Sequence, residues 1–275
     1  MKNTTLPQNL EPLLQEFKQQ TKTQAIRLTT QRSDQITATS SKFGGTPYLP
    51  KNYTYPTCPQ GNPLKLLAQL NFDELPHLPN FPTSGILQFF VLPDNSIGFD
   101  HQNSVNNGKH KVIYHKEILP ESEIMTDFPK IVVMGFPFEG EFLLKGELID
   151  AFINPDVYSF DYKFTPFCEK HNIDYDINND ETFDEIHEML YEVLENEDQH
   201  LVGGYPSFCQ GDPRLDNRKM KKYDTLIFKM SSDYTPKSQK DVISWGDAGI
   251  ANFFIKFDDL QNLKFNDVFY TWDCS

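Results

Sequence analysis

Cysteine is scarce in this chain of 275 residues: Cys58, Cys168, Cys209 and Cys274 stand far apart and form no CxxC pair. That spacing argues against a disulfide framework and fits reduced thiols in a cytoplasmic protein. Long apolar runs are missing too. Nothing approaches the roughly 18 residues of a membrane-spanning helix, and the opening Met1-Lys-Asn-Thr-Thr has no apolar stretch behind its charge, so no secretory signal is expected. Positive charge is in deficit, with 25 Lys and Arg against 39 Asp and Glu and a formal charge of −14. Such a surface repels phosphate backbones and anionic lipid, so nucleic acid and membrane are not expected partners, whereas a basic protein partner would suit it. Catalytic signatures are also lacking. Neither Ser207 nor Ser244 sits in a GxSxG elbow, no Lys-Ser/Thr follows a Gly-Gly pair as in a P-loop, and the histidines show no motif pairing.

What the chain does have is aromatic weight, 23 Phe and 12 Tyr, which favours strands and a sheet-rich core. It also has an echo. Gly44-Gly-Thr-Pro47 and Gly203-Gly-Tyr-Pro206 share a Gly-Gly-x-Pro core, and the segments downstream of the two copies are similar. Leu66–Asp73 matches Leu226–Asp233, Gly85–Val91 matches Gly249–Ile255, and Val112–Tyr114 matches Val268–Tyr270; with the Gly-Gly pair first, the four offsets are 159, 160, 164 and 156 residues. Four ordered matches at near-constant offset read as an internal duplication. The expected organisation is one compact domain, 1–275, built from repeats over about 25–150 and 156–275.

Leu10, Leu13, Leu14 and Phe17 recur at helical spacing and predict an N-terminal helix. Alternation predicts strands at 25–30 and 35–40; apolar runs predict further strands at 64–70, 85–92, 97–100, 111–115, 131–134 and 140–149. Residues 150–180 read as irregular and acidic. Phe183, Ile186, Leu190 and Val193 then mark a helix just before the second copy. No βαβ alternation is visible, so the fold expected is α+β, with predominantly antiparallel sheets from two pseudo-symmetric repeats. Neither apolar β segment alternates cleanly, so each unit needs cover from the other.

The motifs Gly203-Gly-Tyr-Pro206, Gln210-Gly-Asp-Pro-Arg214, Trp245-Gly-Asp-Ala-Gly-Ile250 and Trp272-Asp-Cys-Ser275 resemble those of the YwqG-like family. So do Gly44–Pro50, Leu67-Ala-Gln-Leu70 and Gly85–Phe90, and the likeness spans roughly residues 40–275. The resemblance implies a bacterial, cytoplasmic protein without an established activity. It also implies a binding or interaction role, thinkable as toxin immunity, and no catalytic residues carry over.

Candidate sites come from residue chemistry. Gln210, Asp212 and Arg214 form the densest polar cluster, and Trp245 with Asp247 adds an aromatic and a carboxylate at a turn. Together they are the candidate ligand site, a cleft where loops of both halves converge, with Arg214 taking a carboxylate or phosphate. A hydrolase using the same cleft is the alternative; a buried ion network that pins loops is the structural one. Asp174, Asp176, Asn178, Asp180 and Glu185 fall at positions 1, 3, 5, 7 and 12 of an EF-hand loop and make calcium the one candidate cofactor, although Asn179 replaces the turn glycine. Cys168-x-x-His171 is half a zinc site, which His200, Cys209 or Cys274 would have to complete.

Overall fold

The computed structural model describes residues 10–100, 105, 107–175, 186, 188–193, 200–234 and 242–275. Ten antiparallel strands make a single sheet. They are β1 (Thr23–Gln31), β2 (Lys42–Gly44), β3 (Lys65–Asn71), β4 (Ile86–Val91), β5 (His110–His115), β6 (Glu141–Ala151), β7 (His200–Gly203), β8 (Thr225–Ser231), β9 (Ile250–Ile255) and β10 (Phe269–Asp273). Helix α1 spans Leu10–Gln20, α2 Phe160–His171, α3 residues 188–193, and α4 Phe257–Gln261.

The strand order β10-β9-β8-β7-β1-β6-β2-β3-β4-β5 places the long pair β1–β6 in the middle and a four-stranded arm on each side. The two arms curl until their ends nearly meet. Val105 bridges to Phe269, His110 Nε2 donates to the Val268 carbonyl at 3.1 Å, and Tyr270 and Trp272 donate to the carbonyls of Ile97 and Ser96. The result is a nearly closed, mostly β barrel, not separate sheets. Phe89 of β4 meets Phe228 of β8 at 4.8 Å and Phe253 of β9 at 5.0 Å between ring centroids, so each arm's apolar face is covered by the other.

The arms share their pairing in detail. In one, Leu66 pairs with Phe90, the register slips, and Ala68 pairs with Phe89; in the other, Leu226 pairs with Phe254, the register slips, and Phe228 pairs with Phe253. A bulge at the same step bends both arms the same way. Register also corrects the last sequence match: Val112 and Tyr270 both face the inner Phe of their arm, so Tyr270, not Val268, corresponds to Val112.

Outside the barrel, α1 lays Leu10, Leu14 and Phe17 against Phe160, Phe164 and Phe167 of α2 and against Ile186, Leu190 and Val193. The helix expected before the second copy is thus present where residues are described. Helix α2 stands where irregular chain was expected, despite Pro166 inside it. Three expected strands are absent among the described residues. Residues 35–40 turn on hydroxyl bonds, with Thr37 N donating to Ser40 Oγ at 3.0 Å. Residues 97–100 form a turn with Ile97 at φ 50°, and 131–134 are irregular, with Val132 and Met134 exposed.

Candidate functional site

Both Gly-Gly pairs are left-handed, φ 66° and 69° at Gly44 and Gly45 and 71° and 74° at Gly203 and Gly204. That conformation excludes most side chains, and a Cβ on Gly203 would also stand 2.7 Å from Leu78 Cδ2. Gly203→Ala is therefore expected to destabilise by about 1–3 kcal/mol, from the backbone strain and the forced contact together. Urea titration checks this; an unchanged midpoint would mean that the bend is not constrained.

After each bend the same device fixes the chain. Gln88 Nε2 of β4 donates to the Tyr48 carbonyl at 2.6 Å, and Asn252 Nδ2 of β9 donates to the Ser207 carbonyl at 2.9 Å. Gln88 and Asn252 sit at the same register step of their arms, each opposite a buried β3 or β8 residue, Gln69 or Lys229. Gln69 Oε1 accepts from Tyr48 N at 2.8 Å, and Lys229 Nζ donates to Ser207 Oγ at 3.2 Å. The first arm closes its polar row with His115 Nε2 on Gln88 Oε1 at 3.1 Å. Its register equivalent in the second arm is Asp273. There Asn252 Oδ1 and Asp273 Oδ1 are buried without a hydrogen-bond partner among the described residues, and burial pushes the Asp273 carboxyl up against the opposing pull of the Gln210 and Cys209 N–H groups.

The second loop then runs to Arg214, which is 2% exposed and forked onto Asp212: Nε to Oδ1 at 2.9 Å and Nη2 to Oδ2 at 2.6 Å. Arg214 Nη1 donates to the Tyr223 carbonyl at 3.0 Å, and Asp212 Oδ2 takes the Tyr158 N–H at 3.0 Å. The guanidinium lies 4.0 Å from the Phe254 ring centroid and 4.7 Å from that of Tyr158. A bidentate pair stacked on aromatic rings is geometrically rigid.

Two cavities flank this pair. One, of about 470 Å³, is lined by Gly203, Gly204, Arg214, Tyr158, Phe257 and Leu260 among others. The other, of about 430 Å³, is lined by Gln210, Asp212, Trp272 and Asp273 among others. The five residues of the expected cleft are thus divided. Gln210, Asp212 and Arg214 belong to one loop, but Arg214 faces the first cavity and Gln210 and Asp212 the second. Trp245 is fully buried against Trp272, with centroids 5.8 Å apart, and Asp247 offers its carbonyl to Ser275 N at 3.2 Å. Neither lines either cavity. Sequence reasoning missed Tyr158; the aromatic spacing of Phe160, Phe164 and Phe167 was the available signal for the helix that carries Tyr158 to the loop.

For metals, Asp174 precedes 176–185, so Asp176, Asn178, Asp180 and Glu185 lie outside the described residues. Cys168 and His171 lie on α2, where burial pushes the Cys168 thiol up to about 12. No group of three metal-binding side chains occurs among the described residues. No helix there is long and apolar enough to cross a membrane.

A family model described as a domain of unknown function, DUF1963, matches residues 41–274. No curated protein matches the chain.

Proposed function

We propose that this chain, which belongs to the DUF1963 family of unknown function, is a binding protein whose ligand enters the 470 Å³ cavity beneath the second Gly-Gly-x-Pro bend. One observation carries the reading: the Gly-Gly-Tyr-Pro motif and Arg214 of the next motif both wall this cavity, although Gly203 and Arg214 are fixed by unrelated constraints. The size suits a small molecule or one or two peptide side chains, and the lining mixes apolar side chains such as Leu78, Phe81 and Leu260 with polar ones such as Gln24, Arg214 and Asp224. Fragment binding followed by protein NMR tests it. Shifts should cluster at Tyr158, Phe257 and Leu260 and disappear in Ser159→Trp, which fills the mouth; shifts elsewhere only would sink the reading.

The finer family reading, YwqG-like with a bacterial, cytoplasmic and immunity-type role, rests on the ordered motifs at Gly203–Pro206, Gln210–Arg214, Trp245–Ile250 and Trp272–Ser275. The duplication belongs here too. Its support is the equal register, the equal bulge and the matched Gln88 and Asn252 clamps, which favour one domain made of two halves. Calcium at Asp174–Glu185 is a separate proposal resting on ligand spacing; calorimetry at millimolar calcium should give a binding heat, and its absence removes the site.

A hydrolase is the second reading, favoured by the buried Lys229 Nζ beside Ser207 Oγ at 3.2 Å. A serine with a lysine base is an acyl-transfer arrangement. Against it, Gln69 holds Tyr48 from the corresponding place in the first arm, which makes the contact a structural clamp. Fluorophosphonate labelling of Ser207, lost in Lys229→Met, would reverse that preference.

A further inference from the structure

The net charge of −14 invites a basic partner, but the charge beside the cavity has the opposite sign. Residues 212–224 hold five cations (Arg214, Arg218, Lys219, Lys221, Lys222) and three carboxylates (Asp212, Asp216, Asp224). One of these carboxylates, Asp212, is already committed to Arg214. Arg218, Lys219 and Lys222 are exposed and Lys221 partly so. None of the four forms a salt bridge among the described residues. The strip is joined to the cavity through aromatic faces. Lys221 Nζ lies 5.6 Å from the centroid of Tyr158, which lines the cavity, and 6.0 Å from that of Tyr162, a residue 70% exposed. A carboxylate arriving beside Tyr158 would meet the Lys221 ammonium. Asp224, which also lines the cavity, is held by the Thr225 hydroxyl and the Phe257 N–H, and an apolar side chain would meet Leu78, Phe81, Phe257 and Leu260.

We infer that the partner of this site is a short acidic peptide segment carrying an apolar side chain, its carboxylates on Arg218–Lys222 and its apolar residue in the cavity. The inference rests on the cavity being the ligand site. A peptide is favoured over a nucleic acid because an extended polyanion would run past the strip onto a surface of net charge −14. Exposed lysines give steering and specificity more than depth of binding, so the apolar residue must supply most of the affinity. The interaction should accordingly weaken with salt.

Fluorescence anisotropy with a labelled (Glu-Phe-Glu-Leu)₂ peptide and its (Lys-Phe-Lys-Leu)₂ counterpart tests this on the full chain. The acidic peptide should bind, losing about tenfold in affinity in Lys221→Glu/Lys222→Glu and again on raising salt from 50 to 500 mM, roughly from beyond a Debye length of 10 Å to well below it. The lysine peptide should not weaken in that variant. The substituted side chains are at the surface, so the variant is expected to fold, and its melting curve verifies that. Absence of binding by the acidic peptide, equal affinity in the variant, or tighter binding of a single-stranded oligonucleotide at the same strip would overturn the inference. Fragments still seated at Phe257 and Leu260 would then show that the cavity reading survives without it.

Discussion

Acidification from pH 7 to 4 is expected to remove much of the stability of the fold, with the loss starting just below pH 6.5. Three histidines are held neutral by burial, and each has its pKa pushed down from 6.5 to about 4. Their bonds explain why a proton is unwelcome. His200 Nδ1 accepts the Ser231 N–H at 3.2 Å, so protonating it breaks that bond, with the ring also held edge-on to Phe43. His110 Nε2 faces the Val268 carbonyl as a donor, which leaves Nδ1 to take the proton where no acceptor stands among the described residues. His115 is spent on Gln88 and covered by the rings of Tyr48 and Tyr53. A depressed histidine pKa means that the unfolded chain binds more protons between pH 6.5 and 4, so stability is full above that window and falls as pH drops through it. For the two most buried, His110 and His200, the penalty is on the order of 3 kcal/mol each, at 1.36 kcal/mol per pH unit. Asp273 acts in the opposite sense, since its raised pKa makes the folded state gain a proton first, but it is one group against three. Urea unfolding at pH 7.5, 6, 5 and 4 should show the midpoint sliding down, with the slide reduced in His200→Gln. A flat profile down to pH 4.5 would mean that the imidazoles are not buried as described.

The parts of the fold that sequence reveals are those where one physical requirement acts alone. Glycine pairs before x-Pro announce left-handed backbone, and Gly44, Gly45, Gly203 and Gly204 adopt it. The near-continuous apolar runs of β3, β4, β8 and β9 announce strands buried on both faces, and all four are. Where requirements compete, the reading fails. Ile131–Met134 is as apolar as a core strand, yet Met134 and Gly135 spend their N–H groups on the Pro93 carbonyl and leave Val132 and Val133 outside. Apolar character alone cannot say which side of the barrel wall a segment occupies. Helix α2 was hidden by Pro166, which normally argues against a helix interior, while packing of Phe160, Phe164 and Phe167 on Phe17 outweighs it. The residues of the expected cleft divide for the same reason. Gln210, Asp212 and Arg214 share a loop and so were legible together. That Arg214 turns to one side and Gln210 to the other depends on β8, β9 and Tyr158, which no local pattern encodes.

Removing Arg214 is expected to be the most damaging single substitution in that loop. Arg214→Ala leaves the Asp212 carboxylate 6% exposed with only the N–H groups of Tyr158 and residue 214 to answer it, and an unpaired buried charge of this kind costs about 3–5 kcal/mol. The guanidinium also fills the space between Phe254 and Tyr158, so its loss opens the wall between the two cavities. Charge and packing can be separated. Arg214→Lys keeps the charge but has no fork for Asp212 and cannot also reach the Tyr223 carbonyl in the same geometry, so it should fall between wild type and alanine. Asp212→Leu/Arg214→Met removes both charges and restores volume. It should recover much of the loss but not all, because the Tyr158 N–H is left without its acceptor, a cost of about 1–3 kcal/mol. Urea midpoints for the three variants check the order alanine, lysine, double variant from least to most stable. An alanine variant within about 1 kcal/mol of wild type, the ordinary scale of a surface ion pair, would show that the Asp212–Arg214 pair is solvated and does not hold the loop.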